Sequence, residues 1–166
     1  MVRLLSFFFL FCTVSFLKAQ PIQQMSFDQL QKKLIETKDS VVVLNFWATW
    51  CKPCVEELPY FEQLNKKYAN QKVKVILVNL DFNSKVKSVA EPFVQKKKME
   101  SEIIHITDTD PNTWINKIDN TWSGAIPATV VYNTSHEKIK FTEGGMTYDE
   151  LERIILQQLK SDEVTK

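Results

Sequence analysis

The feature that most constrains this chain is an apolar segment followed closely by two cysteines. Val41–Trp47 contains a single polar residue, Asn45, and Cys51 and Cys54 come directly after it. Unbroken apolar runs of this kind are typical of strands buried on both faces of a sheet. Apolar residues at helical spacing come next, namely Val55, Leu58, Phe61, Leu64 and Tyr68. The order of strand, cysteines and helix places the first thiol at the N-terminus of a helix.

The position of the two thiols indicates redox chemistry. At a helix N-terminus, free backbone N–H groups and the helix dipole stabilise a thiolate. We therefore expect Cys51 to be the nucleophile, partly exposed and with a lowered pKa. Cys54, within the first helical turn, should be more buried and act as the resolving thiol, which attacks the mixed disulfide at Cys51. The alternative is an inert structural disulfide, although so short a loop gains little entropy from closure.

Two residues separate the cysteines. Pro53 suits an early helical position, where its missing N–H costs nothing. Lys52 brings a positive charge near the thiolate, and this charge favours the ionised thiol if the side chain points inward. A solvent-facing lysine of little effect is the alternative.

The pattern does not indicate a metal site. Zinc would need further ligands beside the two cysteines. The two histidines of the chain, His105 and His136, lie far from the motif in the sequence and lack a matching spacing. We therefore expect no metal, and no cofactor other than the redox-active pair Cys51–Cys54 itself.

The N-terminal residues resemble a secretory signal. Arg3 precedes Leu4–Leu17, a run of 14 uncharged residues that is too short to span a membrane comfortably. We predict a signal peptide over 1–19 and one folded domain over 20–166. The alternative is an uncleaved anchor, which would be the one membrane contact. Cleavage removes Cys12, and the protein would function in the periplasm or at the outer face of the membrane, where conditions are oxidising.

The charge balance argues against a nucleic-acid partner. The whole chain carries a formal charge of +1, and residues 1–19 contain two basic side chains and no acid, so the remainder carries −1. A near-neutral chain lacks the basic surface that binds phosphate backbones. The short run Lys96–Lys98 is interpreted as the solvated end of a helix.

The remaining periodicity predicts a mixed α/β fold. Val73–Leu80 forms a second apolar strand after the helix, which implies a parallel βαβ unit with a right-handed crossover. Ala128–Tyr132 and Lys138–Thr142 predict a hairpin, hence an antiparallel edge. A last helix begins at the capping box Thr147–Glu150. We expect a mixed central β-sheet flanked by helices on both faces.

Three motifs together resemble the TlpA/ResA group of exported, thioredoxin-like thiol–disulfide oxidoreductases. They are Val43–Cys54, which includes Trp50-Cys51-Lys52-Pro53-Cys54, then Glu56–Pro59, and Gly124–Thr129 far downstream. The resemblance covers roughly Ser26 to Leu159. It implies the thioredoxin fold, with a TlpA-type insertion between the βαβ and ββα halves of the chain.

The resemblance also implies roles for residues around the cysteines. Pro127 matches the cis-proline that faces the Cys-x-x-Cys motif in this group. The backbone of Ile126 and the side chain of Trp50 would then bind an extended substrate, as a strand adds to a sheet edge. Residues between the cysteines, here Lys52 and Pro53, help to set the redox potential in this group.

An acidic residue at the position of Glu57 tunes the protonation of the thiols in the group. Glu57 lies three residues after Cys54 and hence on the same helical face. We therefore interpret it as the proton acceptor for Cys54 during resolution, with an exposed helix glutamate as the alternative. Asn45 stands where thioredoxins proper carry a buried aspartate, which is why the role is given to Glu57.

The function implied by the resemblance is reduction of protein disulfides outside the cytoplasm. Duties typical of the group are reduction of apocytochrome thiols before haem attachment, in cytochrome c maturation, and general redox homeostasis. Electrons would come from a membrane donor. The alternatives are a disulfide-forming oxidant or isomerase, and a thioredoxin-like module that binds clients without catalysis.

Overall fold

The computed structural model describes residues 21–37, 41–133, 135 and 137–164 of the 166-residue chain. The predicted signal peptide over 1–19, Cys12 and His136 lie outside the described residues. Among the described residues, no helix combines the length and the apolar character needed to cross a bilayer.

Six strands and five α-helices make up the described fold. The strands are β1 (Gln23–Met25), β2 (Val41–Trp47), β3 (Val73–Asn79), β4 (Glu102–Ile106), β5 (Ala128–Asn133) and β6 (Lys138–Glu143). The helices are α1 (Phe27–Glu36), α2 (Lys52–Tyr68), α3 (Glu91–Lys97), α4 (Ile115–Ile118) and α5 (Tyr148–Val164). Helix α5 extends to Val164.

All six strands belong to one mixed sheet in the order β1-β4-β3-β2-β5-β6. Strands β1, β4, β3 and β2 pair in parallel, whereas β5 is antiparallel to β2 and β6 is antiparallel to β5. The predicted parallel βαβ unit and C-terminal hairpin are therefore confirmed. Because β2 lies in the middle of the sheet, every one of its residues is buried, as its apolar sequence predicted.

Apolar cores cover both faces of the sheet. Alternate residues of β2 point to opposite faces, so Val43 belongs to the core under α2 and α5, whereas Leu44 belongs to the core under α1. Trp47 packs in the first core, against Phe93. The second core contains Trp114 and Trp122.

The predicted helix between β3 and β4 is less regular than expected. It starts as a 3₁₀ turn over Asn83–Lys85, continues as a π turn over Val86–Ala90 and becomes α-helical at α3. Pro92 has no N–H to donate, which removes one regular helical bond. The preceding Glu91 N–H reaches the carbonyl of Val86, five residues back.

Strand β1 was not predicted from the sequence. It has three residues, and Gln23 and Gln24 within it are exposed. So short and polar a segment carries no strand periodicity of its own. It becomes a strand because β4 offers a free edge, with Gln24 paired to His105.

Candidate active site

The two cysteines lie at the start of α2, at the carboxyl end of β2. Cys51 is the N-cap of α2, and its Sγ accepts a hydrogen bond from the Cys54 N–H at 3.3 Å. A disulfide joins them, with 2.01 Å between the sulfur atoms. This helix N-cap is the position that the sequence predicted for the first thiol.

The exposure of Cys51 is lower than expected. The sequence predicted a partly exposed nucleophile, but Cys51 retains 5% of its accessible surface and Cys54 retains none. In this oxidised state, the Cys51 sulfur is bonded to Cys54 and faces the backbone of Ile126, which together cover it. The predicted order, with Cys51 more accessible than Cys54, is nevertheless found.

A cis peptide bond between Ile126 and Pro127 forms the second half of the site. The carbonyl oxygen of Ile126 lies 3.7 Å from the Cys51 Sγ. Because a disulfide sulfur carries no proton, this approach is a contact and not a hydrogen bond. The sheet brings the halves together, since Phe46 at the end of β2 pairs with Ala128 at the start of β5.

The segment before the cis bond is held at several points. Gly124 has φ +91°, and a Cβ there would lie 3.1 Å from the Cδ1 of Ile115. The Trp122 indole N–H donates to the carbonyl of Ala125 at 2.8 Å. These constraints fix the backbone that leads to Ile126, so the segment is ordered before any substrate arrives.

Glu57 is a buried carboxylate in α2, one helical turn after Cys54. It retains 4% of its accessible surface, so the alternative of an exposed helix glutamate does not hold. Its Oε1 accepts from the Asn45 Nδ2 at 2.7 Å, and its Oε2 accepts from the Met146 N–H at 2.8 Å. Burial raises the pKa of Glu57, and these two hydrogen bonds oppose the rise. The carboxyl group is therefore suited to bind a proton.

Lys52 and Trp50 both face solvent beside the disulfide. The Lys52 side chain is 87% exposed and lies 3.8 Å from the Glu56 carboxylate, so it takes the solvent-facing orientation and not the inward one. Trp50 is 61% exposed. Pro53 is exposed in the first turn of α2.

A groove of about 730 Å³ lies beside the active site and continues along the insertion. Trp50 and Ile126, two residues predicted to bind substrate, line the end of the groove next to the cysteines. Phe82, Asn112 and Trp114 line it further away. The structure thus brings together the cysteines, Trp50 and the cis-proline segment.

Sequence reasoning missed a buried polar cluster behind the disulfide loop. Thr49 donates from its N–H and its hydroxyl to the carboxylate of Asp81, at 3.1 and 2.7 Å. Asn79 and His105 lie behind Asp81 and are fully buried. The one available signal was Asp81, a charged residue almost directly after an apolar strand.

Comparison with known proteins identifies relatives of this chain. Residues 17–140 match the AhpC/TSA family. The chain is 30% identical over 125 residues to the thiol-disulfide oxidoreductase ResA of Oceanobacillus iheyensis, and the match covers 75% of this chain and 60% of that protein. It is 32% identical over 127 residues to ResA of Bacillus cereus, which covers 74% of this chain and 68% of that protein. The chain thus spans roughly three fifths to two thirds of the length of these relatives.

The fold is also similar to that of solved structures. StoA from Bacillus subtilis superposes with a TM-score of 0.57 and is 29% identical, and the match covers 72% of this chain and 84% of StoA. The likeness confirms the thioredoxin fold that the sequence motifs implied.

Proposed function

Because the chain belongs to the AhpC/TSA family, among the thiol–disulfide oxidoreductases of the ResA type, we propose that it reduces disulfides of exported proteins. The observation that carries the proposal is the Cys51–Cys54 pair at the N-terminus of α2, facing the cis bond before Pro127. A sulfur at a helix N-cap is stabilised as a thiolate, and a neighbouring thiol can complete a disulfide exchange.

The first step forms a mixed disulfide. The thiolate of Cys51 attacks one sulfur of a client disulfide, so a new bond joins Cys51 to the client and the second client sulfur leaves as a thiolate. The N–H of Cys54 donates to the Cys51 Sγ at 3.3 Å and would stabilise the attacking anion. Reaction requires access, so the reduced site must open beyond the 5% exposure of oxidised Cys51.

The second step releases the client. The thiol of Cys54 gives its proton to the carboxylate of Glu57, and the resulting thiolate attacks the Cys51 sulfur. The bond from Cys51 to the client breaks, the Cys51–Cys54 disulfide forms, and the client leaves with both sulfurs reduced. Two electrons have then passed from the enzyme to the client. The burial of Glu57, which raises its pKa, supports this role.

The client would bind as an extended segment beside the disulfide. The carbonyl of Ile126 lies next to the Cys51 sulfur and can accept a hydrogen bond from a client backbone. The exposed ring of Trp50 offers apolar contact on the other side. Lys52 and Pro53 would influence the redox potential through the local backbone and, for Lys52, only weakly through charge, since its ammonium group is solvated.

We also propose the setting in which the reaction takes place. Residues 1–19 would direct export and 20–166 would form the working domain, in the periplasm or at the outer face of the membrane. A reductant in an oxidising compartment must be re-reduced, so a membrane-bound electron donor is required. Apocytochrome thiols in cytochrome c maturation are one suitable client class, and general redox homeostasis is another.

Insulin reduction tests the catalytic part of the proposal. The wild-type chain with dithiothreitol should reduce insulin, and Cys51→Ser should lose this activity because the attacking sulfur is gone. Cys54→Ser should instead accumulate a mixed disulfide with the client. Equal activity of wild type and Cys51→Ser would refute the enzymatic proposal.

Equilibration with glutathione tests the direction of electron transfer. A reductant should have a potential well below that of the strong oxidant DsbA, which is about −120 mV. A potential close to the DsbA value would refute the reductase assignment, although the dithiol chemistry would stand.

A further inference from the structure

We propose that His105 is a positioning residue for the reactive disulfide, acting through a chain of buried hydrogen bonds. The chain passes through Asn79 and Asp81 and ends at Thr49. Thr49 precedes Cys51 by two residues, in the loop that presents the sulfur. The inference deepens the proposed function, because disulfide exchange at Cys51 is the property that His105 would influence.

At the active-site loop, the hydrogen-bond chain ends in the contact between Thr49 and Asp81. The Thr49 N–H donates to Oδ2 of Asp81 at 3.1 Å, and its hydroxyl donates to Oδ1 at 2.7 Å. Asp81 is 5% exposed, and in the described part of the chain no Lys or Arg forms an ion pair with it. A buried carboxylate without a cation needs well-placed donors. It therefore fixes the backbone of Thr49 firmly.

Asn79 fixes the carboxylate in turn. Its Nδ2 donates to Oδ2 of Asp81 at 2.7 Å, and its Oδ1 accepts from the Asp81 N–H at 3.2 Å. These two contacts fix the orientation of the Asn79 amide, with Nδ2 toward the Asp81 carboxylate and Oδ1 toward the Asp81 N–H. The Oδ1 of Asn79 consequently faces Nδ1 of His105 at 3.1 Å, so Nδ1 is the ring nitrogen that carries the proton.

The His105 ring faces an amide oxygen on each side. Its Nε2 lies 2.7 Å from Oδ1 of Asn83, whose Nδ2 donates to the carbonyl of Thr107 at 3.0 Å. Burial lowers the pKa of His105, against the opposing effects of the Asn79 backbone and of Asp81. The neutral ring keeps its proton on Nδ1 and hence keeps the bond to Asn79. Because an unprotonated Nε2 can only accept, the exposed Asn83 has to turn its Nδ2 toward the ring, in exchange for its bond to Thr107.

The position of this hydrogen-bond chain in the fold favours a role at the active site over simple packing. His105 and Asn79 are cross-strand partners near the carboxyl ends of β4 and β3, the edge at which α2 begins. Both are fully buried. Burying polar groups costs free energy that apolar residues would not, and a satisfied network offsets this cost by fixing what it bonds to, here the backbone of Thr49.

A double-mutant cycle tests the inference. Thr49→Val removes the hydroxyl donor at nearly constant volume, and His105→Phe removes the ring N–H. The rate of insulin reduction is measured at 25 °C on variants that circular dichroism finds folded. We expect each single variant to lose roughly tenfold in kcat, with KM nearly unchanged, because the reacting sulfur is misplaced. Thr49→Ser retains the hydroxyl and should stay within about twofold of wild type.

Coupling is the outcome that a merely structural role would not produce. If both residues act through one chain, the double variant should lose about as much as either single variant. Single losses below twofold, or losses that multiply to about a hundredfold in the double variant, would overturn the inference. If His105→Phe does not fold, Asn79→Ala replaces it in the cycle, with the same expectations.

A second measurement separates this inference from the proposed function. The rate at which reduced Cys51 reacts with iodoacetamide can be followed from pH 5 to pH 9 in a Cys54→Ser background. Thr49→Val should shift this pH profile, whereas Thr49→Ser should not. An inactive wild type in the insulin assay would refute the proposed function. Identical alkylation profiles with and without Thr49→Val would refute the role of the hydrogen-bond chain.

Discussion

Glu57 is the residue whose environment differs most from that of an ordinary helix glutamate. Its carboxylate is buried and is held by Asn45 and by the backbone N–H of Met146. Burial raises its pKa above the ordinary 4.5. The folded protein therefore binds a proton at Glu57 more tightly than the unfolded chain does, and this difference can be measured as a dependence of stability on pH.

Glu57→Gln should change how stability depends on pH. In the wild type, the stabilising effect of the raised pKa is full below about 4.5 and is lost as the pH rises through the folded value. Gln carries no charge, so its contribution does not change with pH. The free energy of unfolding of the variant minus that of the wild type should therefore increase from pH 4 to pH 8. Urea unfolding of the oxidised proteins measures this. Glu56→Gln, at an exposed neighbour, is the control and should show no such trend.

Gly124→Ala should destabilise the segment before the cis bond. Its φ of +91° disfavours any side chain, and the new Cβ would lie 3.1 Å from Ile115. We expect a loss of about 2 kcal/mol, from left-handed backbone strain plus crowding. Gly144→Ala is a matched control, since φ is +108° but nothing lies within 4 Å. It should lose only about 1 kcal/mol in urea unfolding. Equal losses at the two positions would contradict the crowding argument.

Among the elements, the sheet edge at β1 and β4 depends on a charged cluster. Glu102 in β4 is 9% exposed and pairs with Lys33 of α1 at 2.9 Å and Lys74 of β3 at 2.8 Å. Burial alone would raise the pKa of Glu102, but the two lysines outweigh it and the pKa is lowered. The carboxylate thus links a helix and two strands, whereas β1 has only three residues to hold it in the sheet.

Glu102→Gln should weaken this junction in a way that depends on pH. A lowered pKa stabilises the fold above the ordinary 4.5, and the effect is lost as the pH falls through the folded value. We expect a loss of roughly 1–2 kcal/mol at pH 7, since both lysines remain partly solvated, and a smaller difference at pH 3. Thermal or urea unfolding measures it. Lys52→Ala, which breaks the exposed pair with Glu56, should change stability by less than about 0.5 kcal/mol.

For the whole molecule, redox state and folding stability are linked. The stability difference between the oxidised and reduced proteins equals the difference in disulfide reduction free energy between the folded and unfolded chains. DsbA is a strong oxidant because its reduced form is the stabilised one. In a reductant, the oxidised form must be the more stable one. Unfolding measurements on the two forms therefore indicate the direction of electron transfer.

The oxidised protein should therefore unfold at a higher urea concentration than the reduced protein. The measurement compares midpoints with and without a strong reductant, at constant pH. A variant with both Cys51→Ser and Cys54→Ser is the control and should give one midpoint under both conditions. A reduced form that is more stable than the oxidised form would contradict the proposed direction.

Individual residues show which features of the structure can be predicted from the sequence alone. The apolar run of β2, the position of Cys51 before α2 and the capping box at Thr147 all follow from neighbours in the chain, and the structure has each of them. The cis bond at Pro127 came only from the resemblance to a family, because most bonds before proline are trans. Strand β1 escaped prediction, since its pairing with β4 is not encoded in its own three residues.

The alternation of strands and helices and the cysteine pair at a helix N-terminus can be predicted from the sequence, because these features depend on contacts between residues close in the chain. The near-complete burial of Cys51, the outward direction of Lys52 and the hydrogen-bond chain from His105 to Thr49 become visible only in the folded protein. These depend on which side chains from distant segments meet at one edge of the sheet. Local periodicity carries no information about such meetings, since each is set by strand order and register.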